Sequence, residues 1–282
     1  MAIVVNTNLS SLLVQKNIFN STNALAKSMQ KLSTGLKINT AGDDSAGLSL
    51  SEKLKSNINA SDVIKNNALT GINMLQTAEG DLAVIQDNLQ RMRDLSVQSA
   101  NGVYSSSERG MLETEFSSRM KEIDRIAASS KFSDLNLLDG TLTVADLQIG
   151  SDSKTESRID ISSAFARISS STVGHSGANY LSNASITTAA TARTSLDILD
   201  SAISAISLRR SNMGATINRL NATIQRIDVR KENLTAANSV IRDVDVAAET
   251  ANMTKQQILQ QSGGILLKQA NQQSQIALSL LK

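Results

Sequence analysis

The chain has 282 residues, 28 basic and 26 acidic, with 40% apolar residues, 2% aromatics and no Pro, Cys or Trp. The charges are interspersed and sum to +2, which leaves no nucleic-acid footprint and no polybasic membrane patch. Without Cys there are no disulfides, thiolate metal sites or Cys nucleophiles, and no apolar run approaches the roughly 18 residues that span a bilayer.

The N-terminus MAIVVNTNLSSLLVQK has no basic leader and no continuous apolar core, so no cleaved signal peptide is expected. Ile18, Thr22, Leu25, Met29, Leu32 and Leu36 then recur at alternating spacings of 4 and 3, which predicts a coiled-coil helix from about Leu9 to Leu36. Gly35 and Gly42 break it, and Asp43, Asp44 and Ser45 are candidate N-caps for the next helix.

The next seam runs through Leu50, Leu54, Asn57, Ser61, Ile64, Ala68, Gly71, Leu75, Ala78, Leu82, Ile85, Leu89, Met92 and Ser96. No Pro interrupts it. A helix from Asp44 to Ala100 is about 85 Å long at 1.5 Å per residue, which suits an elongated rod. Asn101-Gly102 ends it, and Ser105 with Glu108 forms a capping box for a third helix over Ser106–Ser129, with Leu112, Phe116, Met120, Ile123 and Ala127 on its apolar face.

There the period changes. Leu135–Leu138, Asp139-Gly140, Leu142–Ile149 and Arg158–Ile161 read as short strands around a DG turn, giving a β-hairpin region over about 132–162. Residues 163–194 are rich in Ser, Thr, Ala and Gly and read as a loosely ordered tip loop. Thr194 with Asp197 suggests a capping box for a fourth helix, whose seam follows Leu196, Leu199, Ile203, Ile206, Arg210, Met213, Ile217, Leu220, Ile224, Ile227, Lys231, Leu234, Asn238 and Ile241. A last amphipathic helix reaches the C-terminus with Ile276, Leu278, Leu280 and Leu281 bare. A chain that runs out and back lays its ends side by side. The predicted fold is therefore mainly α: a long antiparallel helical bundle or coiled-coil rod, a small β-hairpin region at the far end, and paired N- and C-terminal helices.

Four stretches carry a family resemblance. LSTGLKINTAGDDSAGLSLSEKL (Leu32–Leu54) resembles the N-terminal signature of bacterial flagellins. LQRMRDLSVQSANG (Leu89–Gly102), EIDRIAASSKFSDLNLLDGT (Glu122–Thr141) and ENLTAANSVIRDVDVAAETANMTKQQILQQSG (Glu232–Gly263) are similar to the later motifs of the same family, in the same order. Many relatives carry a Pro in the last stretch, where this chain reads QANQQSQIALSLLK.

The resemblance implies a minimal subunit that polymerises into the flagellar filament. Residues 1–43 and 244–282 would form inner-core helices and residues 44–243 the outer core, with Leu9, Leu12, Ile18, Leu25, Leu32, Ile258, Leu266, Ile276 and Leu280 at polymerisation contacts. It implies an extracellular location reached by type III export, and as partners further copies of the chain, an export chaperone on the C-terminal segment, and the filament cap and junction proteins. It further implies recognition by the flagellin-sensing Toll-like receptor through Arg91, Leu95 and Glu115. Small shifts at the hairpin would let filaments change supercoil.

Two other readings stand beside it. The hook–filament junction protein shares the N-terminal motif, but NMTKQQILQQSG favours the filament subunit. A secreted coiled-coil effector would stay monomeric. An enzyme is not expected: His175 is the sole His and sits in the loop, and no metal-ligand cluster, cofactor motif or nucleophile with a nearby base is present.

Overall fold

The computed structural model describes residues 7–142, 145–173 and 180–279, with side chains as far as residue 273. His175 and Leu280 lie outside the described residues, as do the side chains of Ile276 and Leu278. The protein is mainly α, with helices α1 (Leu9–Thr34), α2 (Ser45–Ala100), α3 (Ser106–Ser129), α4 (Ala189–Arg242) and α5 (Val246–Ser279). Two compact units share these elements: Met1–Ile58 with Glu232–Lys282, and Asn59–Lys231.

In the second unit α2 runs antiparallel to both α3 and α4. Against α4 the 4-and-3 spacing holds residue by residue. Ser61, Ile64, Ala68, Gly71, Leu75, Ala78, Leu82, Ile85, Leu89, Met92 and Ser96 are buried on α2, and Leu199, Ile206, Met213, Leu220 and Ile227 on α4. Two charged seam residues of α4 find partners on α2. Arg210 donates to Glu79 Oε1 at 2.5 and 2.9 Å and to Gln86 Oε1 at 2.7 Å, and Lys231 Nζ lies 2.6 Å from Asp62. Guanidinium and ammonium heads thus stay hydrogen-bonded while their stems cover apolar surface.

Helix α3 starts as its sequence dictates. Ser105 Oγ accepts from Glu108 N, and Glu108 Oε2 accepts from Ser105 N at 2.7 Å. That backbone N–H is the first cause holding the Glu108 carboxyl below its ordinary range. A depressed carboxyl stabilises the fold above its unfolded pKa, and the contribution disappears as pH falls through the folded one. Amide exchange in the first turn of α3 should therefore speed up on acidification below the ordinary carboxylate range, and Glu108→Gln should flatten that profile.

The β region departs from expectation. Asp139-Gly140 is not a hairpin turn. Strand β1 (Lys131–Phe132) pairs with β2 (Leu135–Asn136) across Ser133-Asp134, where Ser133 takes φ 55°. A separate hairpin pairs β3 (Asp146–Gln148) with β4 (Arg158–Asp160). Asp139 instead closes a local turn: its Oδ1 accepts from Thr141 N at 2.9 Å and from Thr141 Oγ1 at 2.6 Å. Gly140, at φ +84°, lets Arg167 pass, since a Cβ there would lie 2.6 Å from Arg167 Cβ.

The Ser/Thr-rich stretch is packed rather than loose over its described residues. Phe165, Ile168, Val173, Leu181, Ala184 and Ile186 all enter the core cluster. Asp124 accepts from Ser170 N and Oγ, and Glu113 Oε2 accepts from Ile186 N at 2.6 Å. Nor does Thr194 cap α4. The helix begins at Ala189, Thr188 Oγ1 accepts from Thr191 N at 3.1 Å, and Thr194 sits inside, its hydroxyl donating to Thr191 O.

In the first unit the link from α1 to α2 is tied to the link from α4 to α5. Leu36 bridges Asp243, with Lys37 N donating to Arg242 O at 2.7 Å and Val244 N to Gly35 O at 3.0 Å. Asp44 Oδ1 accepts from Gly47 N at 2.9 Å and caps α2, whereas Asp43 holds Asn39 N, Thr40 N and Thr40 Oγ1. Ser51, not Leu50, faces inward here, donating to Asn238 Oδ1 at 2.8 Å.

Candidate assembly surface

Helices α1 and α5 pair antiparallel over most of their length: Asn8 Nδ2 donates to Ala270 O at 2.9 Å at one end, and Ser28 Oγ donates to Glu249 Oε1 at 2.5 Å at the other. Among the buried and half-buried residues of α1, Ser11, Val14, Ile18, Ser21, Leu25, Ser28 and Leu32 form a 3-and-4 repeat, with Ala24 and Lys31 beside it. This shares Ile18, Leu25 and Leu32 with the expected seam but replaces Thr22 and Met29 by Ser21 and Ser28. Met29 is half exposed, Thr22 lies on the flank where Gln260 donates to it, and Leu36 belongs to the bridge with Asp243.

The facing residues of α5 are Glu249, Met253, Gln256, Gln260, Gly263, Leu267 and Ala270. Gly263 is the hole for Ile18, since a Cβ there would lie 2.7 Å from Ile18 Cγ1. Lys31 Nζ lies 3.9 Å from Glu249 Oε2.

This seam is mixed: Ser11, Ser21, Ser28, Glu249, Gln256, Gln260 and Gly263 sit among Val14, Ile18, Leu25, Leu32, Met253, Leu267 and Ala270. Small side chains among them, Gly263 above all, let the helices approach closely. A further set of large apolar residues points away from it: Leu9 is 77% exposed, Leu12 52%, Phe19 66%, Ile258 57%, Ile265 67% and Leu266 56%. Monomeric proteins rarely leave so large an apolar face uncovered, and burying one such side chain is worth about 1.5–3 kcal/mol. Of the residues expected at assembly contacts, Leu9, Leu12, Ile258 and Leu266 are on this outward face, while Ile18, Leu25 and Leu32 are engaged within the chain.

The other expected site divides. Arg91 and Glu115 form a bidentate pair across α2 and α3, Nε to Oε1 at 2.8 Å and Nη2 to Oε2 at 3.0 Å, with Arg119 Nη2 3.7 Å away. The hydrogen bonds from Arg91 are the first cause holding the Glu115 carboxyl below its usual range. Leu95 is not beside them at the surface. It is fully buried in the core, out of reach of an incoming protein.

Among the described residues, no group of three His, Cys, Asp or Glu is placed to hold a metal, and no helix is long and apolar enough to cross a membrane.

Comparison with known proteins places the chain in a family. The bacterial flagellin N-terminal helical region matches residues 5–143, and the bacterial flagellin C-terminal helical region matches residues 196–281. The chain belongs to the bacterial flagellin family. It is similar to a flagellar filament 33 kDa core protein of Treponema phagedenis, 40% identical over 291 residues, 99% of this chain and 100% of that one. A flagellin of Halalkalibacterium halodurans is 39% identical over 279 residues, again covering 99% and 100%. A solved structure described as a flagellar hook-associated protein of Vibrio parahaemolyticus shares the fold, with TM-score 0.60 at 17% identity, over 71% of this chain and 99% of that one. Flagellins are structural subunits of the flagellar filament, and the chain is one of them.

Proposed function

We propose that α1 and α5 are the elements through which this flagellin polymerises, and that neighbouring copies cover the outward apolar residues of both. The observation that carries this reading is the outward apolar set, Leu9, Phe19, Ile258, Ile265 and Leu266, left exposed beside a seam in which Ser, Gln, Glu and Gly take seven of the fourteen positions. Residues 1–43 and 244–282 act as the inner core and residues 44–243 as the outer core. The paired ends gain most of their stability from assembly, because so mixed a seam offsets little of the ordering entropy of two helices.

Before export an apolar C-terminal segment needs cover, which a cytosolic chaperone provides. The filament cap and junction proteins meet the same outward face at the two ends of the polymer, and the location is the extracellular filament. Seeded protein in concentrated salt should grow filaments visible by electron microscopy. Amide exchange over α1 and α5 should be fast in dilute monomer and slow in the filament. A chain that stays monomeric when seeded, or whose ends are equally protected in the monomer, would falsify this reading.

A second role rests on the exposed Arg91–Glu115 pair. The flagellin-sensing Toll-like receptor would meet Arg91 and Glu115 directly, while buried Leu95 only supports the helix beneath them. Arg91→Asp should weaken receptor activation by the monomer. The monomer should stay folded, because an exposed ion pair contributes little to stability. Undiminished activation would remove the receptor role.

A further inference from the structure

The loop between α2 and α3 carries the one Asn-Gly of the sequence, Asn101-Gly102, and the segment after α3 carries its one Asp-Gly, Asp139-Gly140. Both dipeptides sit in the same kind of turn. Asn101 Oδ1 accepts from Val103 N at 3.3 Å, and Asp139 Oδ1 accepts from Thr141 N at 2.9 Å. A turn closed from a side-chain oxygen to the N–H two residues on carries the side-chain carbonyl carbon over the intervening backbone nitrogen. The chemistry then diverges.

At Asp139 the group is a carboxylate. The Thr141 hydroxyl is the first cause holding it ionised, with Thr141 N and Asn136 Nδ2 adding to it. A carboxylate is a poor electrophile with no leaving group, and Arg167 packs against Gly140. At Asn101 the group is a neutral amide whose oxygen already receives an N–H, the donor an oxyanion needs as it forms there. Asn101 and Gly102 are both exposed, and a Cβ built on Gly102 meets nothing within 4 Å. The attacking nitrogen therefore has solvent access and a backbone free of side-chain restraint.

We infer that Asn101 is a self-modification site, which converts without an enzyme to a mixture of aspartate and isoaspartate in the folded protein. Hydroxide removes the Gly102 N–H proton. The nitrogen bonds to Asn101 Cγ, the Cγ–Nδ2 bond breaks, and Nδ2 leaves as ammonia after taking a proton from water. The resulting five-membered imide then takes up one water. Opening one of its C–N bonds gives aspartate, and opening the other gives isoaspartate, with no change of oxidation state.

The products matter because of what grips this turn. Arg109 Nε donates to Ser99 O at 2.9 Å and its Nη2 to Asn101 O at 2.9 Å, which ties the end of α2 to the start of α3. In isoaspartate the peptide link runs through Cβ and Cγ, so the carbonyl that Arg109 holds becomes a free carboxylate and is no longer part of the main chain leading into α3. Either product also sets a carboxylate at the negative end of α2, the unfavourable pole for an anion. The site is thus a slow, one-way mark of a chain's age, placed where it loosens the joint between two helices.

The test is to age the full-length protein at mildly alkaline and mildly acidic pH. Trypsin then releases the peptide Asp94–Arg109 for mass and retention analysis. The expected result is conversion at Asn101 ahead of every other Asn, split into two retention forms, faster in alkali, and slowed about tenfold or more by Gly102→Ala. Asp139-Gly140 should show no second retention form. Conversion at Asn101 no faster than at exposed Asn20, or a Gly102→Ala rate equal to that of the parent, would overturn the assignment.

Discussion

Replacing Ile265 and Leu266 by Asp should abolish filament growth while leaving the monomer folded. Both side chains are more than half exposed, and neither is in the α5 seam, where Leu267 and Gly263 face α1. Removing them from an interface between copies costs about 3–6 kcal/mol in lost burial alone. At about 1.4 kcal/mol per decade, the critical concentration rises roughly 10²- to 10⁴-fold. Two carboxylates forced into an apolar contact add a desolvation cost on top.

The monomer should keep its helical circular dichroism and its urea midpoint. Lys255→Asp and Gln257→Asp serve as controls for charge alone and should polymerise. Growth of the Ile265→Asp, Leu266→Asp chain at an unchanged critical concentration would remove α5 from the interface. Loss of helicity in its monomer would show that the seam had been misplaced.

How far the sequence could be read depended on whether large side chains marked the contact. Between α2 and α4 they do, and the repeat held from Ser61 to Ile227. Helix α2 also carries a second set beside that seam, in which Asp81 and Asn88, seven residues apart, reach α3 and its C-cap. There Asn88 Oδ1 accepts from Arg119 and Asp81 accepts from Ser130 Oγ. Its polar members break the apolar repeat, so the burial of Leu95, placed at a receptor contact by the family resemblance alone, is not marked by periodicity.

The α1 seam fails in the same way. Three of its seven positions are Ser11, Ser21 and Ser28, while Thr22 and Met29, one position on from two of them, complete a 4-and-3 spacing with Ile18, Leu25 and Leu32. Small side chains were the signal, because close approach selects them, as Gly263 beside Ile18 shows. In the stretch after β4 no period exists at all. Phe165, Ile168, Val173, Leu181 and Ile186 are anchored by irregular turns, which only tertiary contact reveals. The Asp-Gly pair misled because positive φ serves close approach as readily as it serves a hairpin.

Two phenylalanines separate the roles of the two units. The sequence has four Phe and no Trp, so each buried ring is among the largest pieces of core available. Phe116, on α3, is wholly buried among aliphatic side chains of the bundle, while Phe19, on α1, is 66% exposed. Phe116→Ala should lower the unfolding free energy of the bundle by about 3–5 kcal/mol, the transfer and cavity cost of a buried ring. That is a large share of the roughly 5–15 kcal/mol a domain has.

Phe19→Ala should leave the urea midpoint of the monomer within about 0.5 kcal/mol of the parent, as for surface changes in general. It should raise the critical concentration for assembly instead. Urea unfolding followed by circular dichroism measures the first pair of effects, and seeded growth the second. A Phe19→Ala monomer destabilised as much as Phe116→Ala would mean that the outward face of α1 is covered within the chain, leaving nothing for a neighbouring copy to bury.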